Sequence, residues 1–440
     1  MVPAASSDEV SGPMKFPVRW LLVFWIFIIS AIAYLDRVNI SIAGGAIARE
    51  FHLSQQQLGF VFSAFILGYA AGQAPAGWLA DRFGARSILL FGAIWWAVFT
   101  TLITALSPAM SGLLWMAILI RFCLGAGEAV VYPASNTIVA RWIPSIERGK
   151  ANGLIFSGVG LGSGVTPKLI SWLMSTYGWR SSFWASAALG LIAGAIWYWI
   201  ARNDPRRHPW ISPTELDRVE SGLPVAAPTN SPQSVPWSRI LTHPDILLIT
   251  FSYFAYGYVA YIFFSWFFLY LNQVRGLNLK QSATYAMLPF LAMTVGSLIG
   301  GWLSDRLTAS FNKRIGRCGI AFFGIALAAL FVALGTQVQS ALLATVVLAG
   351  GAGALYLSQS SFWSISADIG GPFAGSVSGF MNAGGQIGGA LTASLTPAIA
   401  ARYGWTASFL TAALLCASGA VVWLFVHPER PLRAPANSQA

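Results

Sequence analysis

The sequence predicts an all-α membrane protein with twelve transmembrane helices arranged in two six-helix halves. Three observations lead to this prediction: the composition, the spacing of the apolar segments and an internal repeat. Of the 440 residues, 56% are hydrophobic, 14% are aromatic and only 9% are charged. Soluble domains carry about 25% charged residues, so this chain cannot cover a water-facing surface of its size. The composition excludes a soluble enzyme, a disordered tail protein and a disulfide-rich secreted domain.

Twelve apolar segments are long enough to cross a bilayer, whose hydrocarbon core needs about 20 apolar residues per helix. They are 18–46, 57–80, 87–106, 111–133, 149–174, 181–201, 246–271, 282–304, 316–335, 340–366, 373–399 and 405–426. Lys15 and Arg19 lie at the start of the first segment as in a signal peptide, but the apolar stretch is too long and no small-residue cleavage site follows. We therefore expect the first segment to be retained as a helix.

The basic residues predict the orientation of the helices. With the N-terminus placed inside, 18 of the 26 Lys and Arg residues fall in the inside loops or at the inner ends of spans, Lys15 and Arg433 among them, while 5 fall outside and 3 deeper within the spans. Positive residues collect on the cytoplasmic side of membrane helices. We expect a multi-pass protein of the inner (cytoplasmic) membrane with both termini in the cytoplasm. The net charge of +11 then faces anionic lipid, so no nucleic-acid partner is expected.

The two halves of the chain resemble each other. Gly-Trp-Leu-Ala-Asp-Arg at 77–82 recurs as Gly-Trp-Leu-Ser-Asp-Arg at 301–306, and Tyr-Gly-Trp at 177–179 recurs at 403–405. Repeats with the same membrane orientation are related by an axis along the membrane normal, and this arrangement resembles the major facilitator fold. The fifth and eleventh spans of the two halves are both rich in glycine, which suits either tight packing or a hinge.

A polar segment rich in Pro, Ser and Ala separates the two copies. We therefore predict an N-terminal six-helix bundle at 1–201, a cytoplasmic linker at 202–244 and a C-terminal six-helix bundle at 245–440.

Two predicted spans each carry two charged residues in their interior: Asp36 and Arg37 in the first, Arg121 and Glu128 in the fourth. Together they cost on the order of 10 kcal/mol if they stay unpaired in lipid. Neighbours on a helix point about 100° apart, and residues seven apart are about 10 Å apart, so pairing within either span is poor. The four groups must therefore meet one another, water or a charged ligand in a central cavity. A purely structural charge cluster is the alternative.

The chemistry of these groups suits the coupling of a proton to an anion. Arginine stays positively charged, and its guanidinium fork fits a carboxylate. The carboxyl groups of Asp36 and Glu128 can take up a proton, because burial favours their neutral form and a nearby arginine favours their charged form. A carboxyl group held between these effects changes its protonation when an anion arrives or leaves.

A second group of polar residues follows the second span. Asp81, Arg82 and Arg86 lie there between glycines, and the second half repeats Asp305 and Arg306 without the later glycine. An aspartate at this place can accept hydrogen bonds from a helix N-terminus or pair with arginines of a neighbouring helix. We expect these five residues to gate the cytoplasmic face, with a fixed interhelical salt bridge as the alternative.

These motifs resemble the anion:cation symporter family of the major facilitators. The likeness rests on Tyr34 to Asn39, on 77–86, on Arg121 to Pro133 and on 142–149. Bacterial members import sugar acids, tartrate or aromatic carboxylates with protons. The resemblance implies that Arg37 and Arg121 bind the substrate carboxylate and that Asp36 and Glu128 carry the coupled protons.

By position, the resemblance adds further substrate contacts. They are Tyr34, Tyr69, Ser360, Trp363 and Asn382, with Tyr253, Tyr256 and Tyr261 as further candidates for the cavity wall. Sugar-acid members tend to carry a glutamine in the fifth span where this chain has Val159. That difference favours a less polar carboxylate, either aromatic or short-chain.

We therefore expect a secondary transporter that imports an organic carboxylate, a sugar acid or a related acid, by proton symport with alternating access. A drug:proton antiporter of the same fold is the alternative, although two central arginines disfavour cationic cargo. A membrane enzyme or sensor is a third possibility, but the spans contain no metal-ligand set and no Ser–His pair. No cofactor or metal is expected; the expected partners are a small organic anion, protons and the lipid bilayer, and we expect a monomer.

Overall fold

The structure, a computed structural model, describes residues 16–221, 235–267 and 270–432 of the chain. Within these residues the chain is helical and forms no strand. Parts of the predictions lie outside the described residues: the outer ends of the two predicted bundles, with Lys15 and Arg433, and positions 222–234 of the predicted linker.

Twelve helical passes are present in the described part of the chain. Nine helical runs and one bent helix pair are long and apolar enough to cross a membrane. The last run, Ala341–Leu424, has 84 residues, and a straight helix of that length would measure about 126 Å, roughly four times the hydrocarbon core. It is broken at Gly371 (φ 51°) and Gly404 (φ 86°). This backbone conformation, which glycine adopts readily, ends a helix, so the run makes three passes.

We number the passes in chain order, and each overlaps a predicted span. They are α1 (Val18–Glu50), α2 (Gln55–Phe83), α3 (Ala85–Leu102), α4 (Leu113–Trp142), α5 (Arg148–Tyr177), α6 (Trp179–Ile200), α7 (Pro244–Trp266), α8 (Leu279–Ser310), α9 (Arg314–Gln337), α10 (341–370), α11 (374–403) and α12 (405–421). Large apolar side chains face outward; Trp115 and Leu414 are both 73% exposed, as expected for a surface solvated by lipid.

The internal repeat extends to the hydrogen bonds at the starts of α2 and α8. The Ser54 hydroxyl accepts a hydrogen bond from the Gln57 backbone, and the Gln57 side chain accepts one from the Ser54 backbone. Asn278 and Gln281 form the same reciprocal pair at the start of α8. Each pair satisfies two backbone N–H groups. The two halves therefore begin their second helix with the same local chemistry.

Glycines let the helices of each half pack backbone against backbone. A Cβ on Gly68 of α2 would lie 2.0 Å from the carbonyl oxygen of Phe122 in α4, and one on Gly300 of α8 would lie 2.0 Å from that of Leu357 in α10. Only a residue without a side chain permits this approach. In lipid, such close packing replaces the hydrophobic effect as a source of helix association.

The predicted linker contains a helix, Pro213–Ser221, that packs against the start of α1 in the first half. The carboxylate of Glu215 accepts hydrogen bonds from the backbone N–H groups of Val18 and Arg19, both at 3.0 Å. Glu147, which lies between α4 and α5, accepts from the side chains of Arg19 and Arg218. Glu215 thus caps α1, whose own preceding residue offers no capping side chain.

Substituting Gly68 with alanine tests the close packing of α2 against α4. The added methyl group would lie 2.0 Å from a backbone oxygen, so we expect the free energy of unfolding to fall by about 1–3 kcal/mol. Thermal unfolding in detergent micelles measures the change. Gly164→Ala is the matched control, because no heavy atom lies within 4 Å of the added Cβ. Equal losses for the two variants would contradict the packing account.

Candidate functional site

A cavity with about 450 Å³ of empty space lies between helices of the first and second halves. Ten of the side chains in its wall are aromatic, three are amides and, among the described residues, none is charged. The predicted contacts that line it are Tyr34, Tyr69, Trp363 and Asn382, with Val159, Tyr253, Tyr256 and Tyr261 beside them. Its place between the halves and its mostly aromatic lining with a few amide groups suit a small organic molecule.

Arg37 lies directly behind two tyrosines of the wall. Its guanidinium carbon is 4.6 Å from the ring centre of Tyr34 and 4.2 Å from that of Tyr69, and such ring faces stabilise a cation. The Nε and Nη2 groups of Arg37 both donate to Oε1 of Glu128, at 3.0 and 2.7 Å. Glu128 is fully buried, and its Oε2 has no hydrogen-bond partner. The pair therefore links α1 to α4 beside the cavity and leaves one carboxylate oxygen unsatisfied.

Asp36 and Arg121 are buried nearby but do not form part of the cavity wall. Asp36 accepts a hydrogen bond from the hydroxyl of Thr100 in α3 at 3.2 Å, and its Oδ1 has no partner. The guanidinium carbon of Arg121 lies 4.6 Å from the ring centre of Phe65, and its Nε is also unpartnered. Asp36 faces α3 and Arg37 faces α4, because successive helical residues point about 100° apart.

Ser360 is the predicted contact that the structure places outside the cavity wall. Gln359 and Trp363 line the cavity; they are four residues apart and so share one face of α10. Ser360 is turned by about 100° from that face and is buried, with an unpartnered hydroxyl. Sequence reasoning missed Gln359 and, on α11, Gln386. Counting one helical turn back from Trp363 and one turn on from Asn382 would have found both.

A chain of hydrogen bonds runs along the wall and crosses between the halves. The hydroxyl of Tyr261 donates to Oε1 of Gln386 at 2.7 Å. Nε2 of Gln386 donates to Oδ1 of Asn382 at 3.4 Å, and Nδ2 of Asn382 donates to Oε1 of Gln73 at 2.7 Å. Gln73 is fully buried on α2, and its own Nε2 has no partner. The sequence analysis did not single out Gln73.

Asp81 caps a helix of the other half at the end of the bundle where α1 begins and α12 ends, termed here the terminal face. Its carboxylate accepts hydrogen bonds from the backbone N–H groups of Gly375 at 3.0 Å and Ser376 at 2.7 Å, and from the Ser376 hydroxyl at 2.7 Å. These groups lie in the first turn of α11. The carboxylate satisfies N–H groups that a helix start leaves free and lies at the positive end of its dipole.

Asp305 repeats this contact with the halves exchanged. It accepts hydrogen bonds from the backbone N–H groups of Gly149 at 2.8 Å and Lys150 at 2.6 Å, at the start of α5. It also pairs with Arg317 at 2.7 Å, and Arg148 forms a further ion pair with Asp368 between the halves. Two equivalent caps therefore close the terminal face.

The three predicted gating arginines take other places. Arg82 lies against the ring of Trp78 and Arg306 against that of Trp302, each with 5.3 Å between the guanidinium carbon and the ring centre. Arg86 donates to the backbone carbonyl of Tyr198 at 2.9 Å. Each of these contacts stays within one half, whereas Asp81 and Asp305 reach across.

Comparisons with known proteins point to one family. A family model described as Major Facilitator Superfamily matches residues 26–391 and 307–440. The probable sulfoacetate transporter SauU of Cupriavidus necator is 32% identical over 428 residues, covering 96% of this chain and 96% of that protein. The probable chloroplastic anion transporter 4 of Oryza sativa is 34% identical over 413 residues, covering 93% of this chain and 68% of that protein.

Solved structures show the same fold. The proton:xylose symporter XylE aligns with a TM-score of 0.74 at 14% identity, over 93% of this chain and 96% of that chain. At this low identity the likeness concerns the arrangement of helices.

Substituting Arg37 with leucine tests the buried ion pair. The variant leaves the Glu128 carboxylate buried without the guanidinium that it binds, so we expect the free energy of unfolding to fall by about 3–5 kcal/mol. The double variant Arg37→Leu/Glu128→Leu buries no charge at either place and should recover most of the loss. Thermal unfolding of both variants in detergent at pH 8 measures the difference. A double variant as unstable as the single one would show that the unpaired charge is not the cause.

Proposed function

The chain belongs to the major facilitator superfamily, and on that premise we propose that it is a secondary transporter that imports an organic carboxylate together with protons by alternating access. The relatives that carry names of cargo are transporters of anions. The cavity between the halves is the cargo site, and the terminal face is the cytoplasmic gate. The anionic cargo of these relatives favours the symporter over a drug:proton antiporter.

The observation that carries the proposal is the way in which Arg37 is held. Its two donors share one oxygen of Glu128, and its charge lies behind two tyrosines of the cavity wall. A cargo carboxylate that reaches the guanidinium competes with Glu128 for the same donors. Since arginine keeps its proton, the displaced Glu128 is a buried charge without a partner, and it takes up a proton. Anion and proton thus bind together.

Asp36 and Arg121 extend this set of charges away from the cavity. Each has an unpartnered buried atom. A change at the Arg37–Glu128 pair can therefore change which groups Asp36 and Arg121 pair with. We assign Arg121 to attracting the carboxylate and Asp36 to a second coupled proton. If both carboxyl groups carry a proton, a monoanion enters with a net positive charge, and the membrane potential adds to the driving force.

The wall favours cargo with an apolar body. Ten aromatic side chains and Val159 surround the cavity, and several polar groups already bond to one another, as in the chain from Tyr261 to Gln73. A polyhydroxylated acid would have to compete with these bonds for its partners, and each buried group left unpaired costs about 1–3 kcal/mol. We infer an aromatic or short-chain carboxylate in preference to a sugar acid; Tyr34, Tyr69, Trp363 and Asn382 contact it.

The proposed membrane placement follows the positive-inside rule. The terminal face then lies in the cytoplasm of a cell whose inner membrane holds the protein, with both chain ends on that side. Asp81 and Asp305 form the gate, while Arg82, Arg86 and Arg306 hold the helix ends within each half. We propose that a monomer is sufficient, because cavity and gates are formed within one chain.

Uptake into proteoliposomes tests the proposed function. With the outside at pH 6 and the inside at pH 7.5, we expect faster accumulation of sulfoacetate and 4-hydroxybenzoate than of D-galactonate, after subtraction of entry into protein-free liposomes. Glu128→Gln should weaken the acceleration by the pH gradient, leaving the part that Asp36 supplies, but keep exchange of labelled for unlabelled cargo, because its uncharged side chain no longer needs the proton. Uptake indifferent to the gradient would contradict proton coupling, and a preference for D-galactonate would contradict the inferred cargo class.

A cysteine reporter tests the gate. In a chain whose Cys123, Cys318 and Cys416 are replaced by alanine, Ala374→Cys places a thiol at the buried start of α11. Adding Asp81→Asn should raise its rate of reaction with a maleimide about tenfold, because hydrogen bonds to a charged group contribute about 1.5–3 kcal/mol. Arg82→Gln, one residue away and outside the cap, should leave the rate within about twofold. Equal rates for the two variants would refute the gating role of Asp81.

A further inference from the structure

Helices α2 and α11 contact each other at three levels between the terminal face and the cavity. Asp81 caps α11 at the face itself. One turn deeper, a Cβ on Gly77 would lie 2.1 Å from the carbonyl oxygen of Gly375, so the backbones touch. A further turn deeper, Gln73 accepts a hydrogen bond from Asn382 at 2.7 Å. The third level differs from the others because Asn382 is also part of the cavity wall.

The repeated pair, α8 and α5, matches the first two levels but not the third. Asp305 caps α5, and a Cβ on Gly301 would lie 2.3 Å from the carbonyl oxygen of Gly149. At the third level Ser297 takes the place of Gln73 in the repeat, and it donates its hydroxyl to the backbone carbonyl of Gly153 at 3.0 Å. No side chain of the cavity wall takes part in this bond. Among the described residues of the two gate pairs, a hydrogen bond from a cavity-lining side chain joins α2 to α11 but not α8 to α5.

The Gln73–Asn382 bond cannot survive the opening of the terminal face, because opening separates α2 from α11. The separation leaves a buried Nδ2–H of Asn382 without its acceptor. A carboxylate accepts hydrogen bonds and donates none, and a charge-assisted bond is roughly twice as strong as a neutral one. An anion in the cavity therefore finds one more donor when the terminal face is open than when it is closed.

We propose that Gln73 is a positioning residue that ties Asn382 to α2 while the cavity is empty, and that the cargo carboxylate replaces Gln73 as the acceptor of this N–H when the gate opens. The inference rests on the proposed function, since it takes the cargo to be an anion. Cargo that binds the open state more tightly shifts the population towards that state. By linkage, removing the tie must raise cargo affinity, by at most the factor by which cargo favours the open state.

The Gln73→Leu variant tests the inference, because leucine removes the acceptor and the unpartnered Nε2 together. In the Ala374→Cys reporter chain without cargo, we expect the maleimide reaction to become about three- to tenfold faster, the range for one hydrogen bond. Adding sulfoacetate or 4-hydroxybenzoate should accelerate the reaction in the parent chain and add little in the variant. The half-saturating concentration in counterflow should fall by the same factor, with little change in the maximal rate.

Ser297→Ala is the matched control. It removes the hydrogen bond at the same level of the other gate pair without touching the cavity, so a merely structural loosening would make both variants behave alike. We expect its half-saturating concentration to fall less than that of Gln73→Leu, because the loosened gate pair frees no donor of the cavity wall. If the parent transports cargo but Gln73→Leu keeps the parent's affinity, or behaves like Ser297→Ala, the inference is overturned and the proposed function still stands. Failure of the parent to show pH-driven uptake overturns the proposed function itself.

Discussion

A permanently charged guanidinium inside a membrane bundle must be neutralised, and Arg37 meets this constraint with both a carboxylate and two aromatic faces. Leaving either partner of such a buried pair alone costs about 3–5 kcal/mol. The pair consequently joins α1 to α4 and positions Tyr34 and Tyr69 at the cavity wall. In the proposed transport cycle the same constraint couples the two substrates, since Glu128 releases the arginine to another anion and takes up a proton in exchange.

The repeat builds the scaffold of the protein, whereas the cavity departs from it. Each half caps a helix of the other through Asp81 or Asp305, and glycines bring the paired helices into backbone contact just below these caps. This symmetry gives the terminal face two caps of the same design, one from each half. Nearer the cavity the counterparts diverge, as Gln73 and Ser297 do, so the two sides of the cavity differ.

The sequence was sufficient for the twelve passes because hydropathy and length decide them, and the repeat identified both capping aspartates as a matched pair. It could not decide which acid pairs with Arg37, since that depends on how α1 and α4 rotate and cross. Ser360 shows the same limit: a rotation of about 100° along α10 separates it from Gln359 at the cavity wall. Contacts formed between helices by uncharged groups, such as Gln73 with Asn382, carry no composition or hydropathy signal.

The helix Pro213–Ser221 is covalently part of the segment that joins the halves, yet its Glu215 completes the first turn of α1. The connection between the two halves therefore begins after Ser221, beside the start of α1, and not at the end of α6. Dividing the gene to produce the halves as two polypeptides would expose the amides of Val18 and Arg19 if the cut fell at 202. A cut after Ser221 would leave the first polypeptide with its own cap.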